Sequence, residues 1–224
     1  MKAVAAYLAM VTVTAMTPAL RSQQPDAVEP SGAPLFTALL LGEDPPESSL
    51  ANLRSDARAA ISAAIARAKA YRPRIPVPPN GDWFETTLAE QRQRLERALA
   101  SLVPSQRVQK DAIAYASQAL LAYEWEGFSD PPLGEAAHTE EFLQQHPKSA
   151  LRPALELFQL HRYRCAFEAA GFEANMESRK TAAAKYVALW EQVSRSKNPA
   201  VNAVAQEIDT ATFLYIENQG HPRR

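Results

Sequence analysis

Apolar side chains recur every three or four positions through most of this chain, and prolines gather in the gaps between the recurrences. This pattern puts one oily stripe on each of a series of helices. It leaves no place for strands, because no stretch alternates with period two between hairpin turns. Helices are predicted over residues 34–41, 47–71, 83–102, 105–125, 135–145, 149–171, 176–196 and 200–218. All seven glycines fall outside them or, like Gly171, at an end, and most of the 17 prolines also fall outside. Pro153 is the exception, in a first turn, where a missing N–H is nearly tolerated. The fold expected is all-α: stacked antiparallel αα-hairpins, arranged as an irregular solenoid or as a helical bundle.

The stripes name the expected core. Leu50, Leu53, Ala57, Ile61, Ile65 and Ala68 align on one helix, and Phe84, Leu88, Leu95, Leu99 and Leu102 on the next. Val108, Ala112, Ala116, Ala119 and Tyr123 form a small-residue stripe that lets a neighbour come close. Ala183, Tyr186, Val187, Trp190 and Val193 align on the seventh helix. Between the first two long helices, RPRIPVPPNGD over residues 72–82 forms an extended loop. It either bridges two helices or serves as a recognition strip.

Cys165 is the only cysteine, so no internal disulfide staples the chain and stability must come from the core. The N-terminus begins Met1-Lys2, continues with the apolar run AVAAYLAMVTVTAM and then turns polar and proline-rich. That order is the signature of a secretory signal peptide. Residues 1–22 are therefore expected to be a signal, 23–46 a disordered tether with a short helix, and 47–220 a single helical domain. The expected location is outside the cytoplasm, periplasmic or extracellular. No later stretch approaches the ~20 apolar residues of a transmembrane helix. A formal net charge of -1 gives no reason to expect nucleic acid as a partner.

Three turns look alike: SLVPSQRVQKDAI, FLQQHPKSALRPAL and SRSKNPAVNAVA. Each closes one helix with a proline-containing turn and opens another, and Pro104, Pro147 and Pro199 lie 43 and 52 residues apart. The middle one, EEFLQQHPKSALRPAL from Glu140 to Leu155, resembles the helix-turn-helix joint of tetratricopeptide-like repeats in bacterial envelope proteins. The resemblance covers residues 135–218, with a spacing longer than the ~34 residues of a standard unit. It implies a solenoid whose concave face binds a protein or peptide of the cell envelope.

The segment LFQLHRYRCAFEAA, Leu157 to Ala170, holds the most unusual residues. At ~100° per residue, Leu151, Leu155, Phe158, Cys165 and Ala169 share a face, and Arg162 falls near its centre. His161 lies at the edge. A guanidinium on an apolar face needs a carboxylate, since an unpaired buried charge costs several kcal/mol. Glu124, Glu126 and Glu141 are the candidates. The alternative is that Arg162 lines a groove and clamps a ligand carboxylate. The binding residues expected are Arg162, His161, Glu124, Glu126 and Trp125.

His161 and Cys165 are spaced i, i+4, with Glu168 at i+7 and His138 on the preceding helix. Such a set resembles metal ligands, but Cys165 reads better as a small core residue. No metal and no cofactor are expected. No G-x-S-x-G, H-E-x-x-H or phosphate loop is present. The function expected is an exported scaffold that binds a protein or peptide in a groove between hairpins, without catalysis. The alternative is a hydrolase built on Glu124, Glu126, His161 and Arg162.

Overall fold

A computed structural model describes residues 32–122 and 124–214. The expected signal peptide, residues 23–31 of the expected tether segment, Tyr123 and the expected last residues of the final helix lie outside the described residues. Among the described residues the chain is all-helical and has no strand. Its helices are α1 (Pro34–Leu41), α2 (Glu47–Ala51), α3 (Ser55–Ala70), α4 (Trp83–Leu102), α5 (Gln106–Gln118), α6 (Asp130–Gln145), α7 (Arg152–Phe172), α8 (Met176–Val193) and α9 (Pro199–Thr210).

Short turns pair α4 with α5, α6 with α7 and α7 with α8, and each pair packs together. α1 lies on α3 and α4, while α3 also packs on α9. The first and last described helices therefore meet, which closes the stack as a bundle. α7 is the hub. It touches α4, α6, α8 and α9, and 13 of its 21 residues are buried. A helix enclosed on several sides must be apolar nearly all round, so a single stripe understates its burial.

Four helix boundaries differ from the periodicity reading, each for a local reason. The helix expected over 47–71 is two, broken at residues 52–54. There Arg58 donates to the carbonyls of Ala51 (2.6 Å) and Leu53 (3.3 Å), satisfying the end of α2. The apolar spacing runs straight across the break and cannot reveal it. α5 stops at Gln118 and not near 125, because Ala119 turns extended (φ -57°, ψ 132°). α9 stops at Thr210, where Arg164 takes the Ala211 carbonyl (3.0 Å) and Glu168 takes the Leu214 amide (2.9 Å). α6 starts five residues early, at Asp130. Pro131 and Pro132 fit its first turn because N–H groups there have no helical acceptor. Gly134 consequently sits inside α6, not outside a helix, and Gly171 sits inside α7.

Gly42 earns its place by geometry. It ends α1 at φ +71°, and a Cβ there would lie 2.9 Å from the Ala68 carbonyl oxygen on α3. Only glycine lets the two helices approach so closely in that conformation.

Candidate functional site

Two helices each carry one charge in the middle of an apolar face. On α7 it is Arg162. On α6 it is Glu135, among the buried residues Pro132, Ala136, Thr139 and Leu143 at helical spacing. Packing α6 on α7 brings the two together: Arg162 Nε donates to Glu135 Oε2 at 2.6 Å, with side chains 8% and 2% exposed. The other carboxylate oxygen accepts the Trp125 indole N–H (2.9 Å) and the Ala122 amide (3.0 Å). This second set of bonds explains why the helix ends at Gln118: Glu135 holds the Ala122 amide and the Trp125 indole.

The guanidinium is held on its other faces as well. Its carbon lies 4.0 Å from the Phe158 ring centroid and 5.1 Å from that of Trp125. Arg162 Nη1 is 3.0 Å from His161 Nδ1. Arginine can only donate, so Nδ1 is the acceptor and the ring proton sits on Nε2. Burial, and then the adjacent Arg162 charge, push the His161 pKa well below its ordinary value, so the imidazole is neutral. Cys165 Sγ lies 3.5 Å from the same nitrogen, and burial pushes the thiol well up, away from the reactive thiolate. The Phe36 ring of α1 covers His161 with centroids 4.8 Å apart.

Of the residues expected at a site, the structure gathers Arg162, His161 and Trp125. Glu126 is exposed in the turn before α6, at φ 49°, and Glu124 is half-buried. Glu141 is exposed on α6 and accepts from Gln145 (3.0 Å). The partner of Arg162 is thus Glu135, which was not among the acids considered. One signal pointed to it: on the α6 stripe it mirrors the position of Arg162 on the α7 stripe. Glu168 bonds Arg164 and the Leu214 amide, so it faces away from any His161–Cys165 metal set. Among the described residues no group of three or more His, Cys, Asp or Glu is placed to hold a metal ion.

Glu135 belongs to a wider device. Glu96 on α4 is fully buried and accepts the Arg74 amide (2.9 Å), the Ile75 amide (3.1 Å) and the Tyr71 hydroxyl (2.7 Å). Gln93 completes the hold by donating to the Ile75 carbonyl (2.6 Å). The proline loop is therefore a strap fastened along α4, with Ile75 inward and Arg72, Arg74, Pro76 and Pro78 outward. Glu173 takes both the amide and the hydroxyl of buried Ser129 (2.7 and 2.6 Å). Glu207 on α9 accepts the Leu35 and Phe36 amides (2.8 and 3.2 Å) at the positive end of α1. In each case a helix-borne carboxylate satisfies amides that a non-helical segment or a helix start would otherwise leave unpaired.

Open surface lies elsewhere. One trough of about 470 Å³ runs between the α1–α2 connection, α2 and α3, lined by Pro45, Leu50, Ile65 and Ala66 among others. A second, of about 380 Å³, lies between α3, α4 and the turn into α5, lined by Tyr71, Ala100 and Pro104 among others. Ala70 lines both. Among the described residues no helix is long and apolar enough to cross a membrane. No protein-family model, curated protein or solved structure matches the chain.

Proposed function

We propose that the protein is an exported helical scaffold that binds a segment of an envelope protein or peptide in the troughs flanking α3. One contrast carries this reading. The cluster around Arg162 is sealed in the core, with His161 neutral and 3% exposed, whereas the open concavities mix apolar side chains such as Leu50, Ile65 and Tyr71 with polar ones such as Asp44, Lys69, Arg67 and Gln109. Buried groups already bonded to one another offer no reachable acid, base or nucleophile to a substrate. Partly apolar grooves between helices, by contrast, suit an amphipathic or extended peptide. Export rests on the basic start and apolar run of residues 1–22.

The test is selection of peptides from a displayed library on the purified protein, repeated on Ala70→Glu. Ala70 is exposed, so the variant keeps its helical circular dichroism while placing a charge in both troughs. Peptides enriched on the parent and lost on the variant support the reading. No enrichment, or equal enrichment on both, overturns it.

A further inference from the structure

α8 is apolar on two sides. One side faces α7: Ala182 and Val193 are buried, and Tyr186, Leu189 and Trp190 pack partly against the core. The sequence stripe through Val187 points elsewhere, with Val187 59% and Met176 68% exposed. At ~100° per residue, Met176, Lys180, Ala184, Val187 and Glu191 all lie within about 40° of one direction. Among the described residues α8 packs on α7 and more lightly on α9, so this second stripe runs along an open flank.

We propose that this flank is a self-association surface, and that its occupant is α8 of a second copy of the chain, lying antiparallel across a twofold axis. The order of side chains along α8 carries the argument. With the axis between residues 185 and 186, Lys180 faces Glu191 of the second copy, and Glu191 faces its Lys180. In the same register Ala184 faces Val187, a small residue opposite a bulkier one. Small residues let the backbones approach, while the larger ones fill the space beside them. An isologous interface requires this reciprocity, residue i meeting j while j meets i. A parallel pairing would instead set Lys180 against Lys180 and Glu191 against Glu191. Antiparallel packing also opposes the two helix dipoles.

The experiment is sedimentation equilibrium over a wide protein concentration range. The parent is expected to pass from the mass of one chain to that of two. Lys180→Glu and Glu191→Lys each turn two attractive pairs into two repulsive ones and should weaken the dimer roughly tenfold. The combined variant, Lys180→Glu with Glu191→Lys, should restore parental association. Both residues are exposed, so circular dichroism should be unchanged in all three variants. A parent that stays at one chain throughout would overturn the proposal. So would single variants that associate like the parent, or a combined variant that stays as weak as the single ones.

Discussion

Glu135→Gln isolates what the buried charge pair contributes. In the parent one carboxylate serves three donors: Arg162 Nε, the Trp125 indole and the Ala122 amide. The amide side chain of glutamine keeps one oxygen, enough for Trp125 and Ala122. Its other end is an NH₂ facing the guanidinium, so Arg162 loses its carboxylate acceptor and with it that counter-charge in a site where it is 7% exposed. Breaking a buried pair from one side costs about 3–5 kcal/mol, most of it the stranded charge. For a domain of this size that corresponds to a fall in melting temperature of roughly 6–20 °C.

Removing both charges, as Glu135→Leu with Arg162→Met, abolishes the stranded charge and should recover most of the loss, as buried pairs often yield to apolar replacements. Urea denaturation followed by circular dichroism gives the free energies, and tryptophan emission adds a local probe. Trp125 is 3% exposed and stacked on the guanidinium, while Trp83 is 67% exposed and stays in water throughout. A Glu135→Gln midpoint within error of the parent, or a double variant less stable than the single one, would refute the reasoning.

His161 supplies a pH dependence. Its folded pKa is depressed below the ordinary value of 6.5, so above that pH both states are neutral and it contributes no slope. As pH falls below 6.5 the unfolded chain takes up a proton that the folded one refuses, and stability drops by up to about 1.4 kcal/mol per pH unit. In urea titrations between pH 7.5 and 5.5, His161→Gln, which keeps an acceptor for Arg162, should show a flatter profile than the parent; parallel profiles would count against a neutral buried imidazole. Two backbone substitutions should move the melting temperature in opposite directions. Gly42→Ala forces a Cβ against the Ala68 carbonyl at positive φ and should cost at least about 1 kcal/mol, whereas Ala174→Gly relieves a residue at φ 55° and should add about 0.5–1 kcal/mol. Equal shifts, or shifts of the same sign, would contradict the assigned strain. Glu96→Ala should free the strap, seen as faster protease cleavage within residues 72–82; unchanged resistance there would mean that the carboxylate does not hold it.

Helical periodicity reads the oily side of each rod well, and much of the core follows from it. Val108, Ala112, Ala116 and Ala119 are all buried, as are Leu95, Leu99 and Leu102. It fails where a distant side chain captures the backbone. Nothing within residues 105–125 says that α5 must end at Gln118, because the cause is Glu135 on the next helix. The end of α9 is set in the same way by Arg164 and Glu168 of α7. The stripe on α8 misleads for a different reason: a helix with two apolar sides has no single inward direction, and Val187 lies on the outer one. The charged cluster was half legible. An arginine centred on an apolar face announces a buried partner but does not say which acid it is, and packing selects the one that occupies the equivalent position on α6.

The contact of α3 and α1 with α9 has a bearing on when the molecule can finish folding. The amides that open α1, near residue 35, wait for a carboxylate at position 207, so an early segment is completed by a much later one. A nascent polypeptide that lacks the α9 segment would hold α3 with one flank bare. A nascent-length series probed by proteolysis would reveal it as protection of α1 and α3 that arrives only with the α9 segment, and protection already present without that segment would refute it.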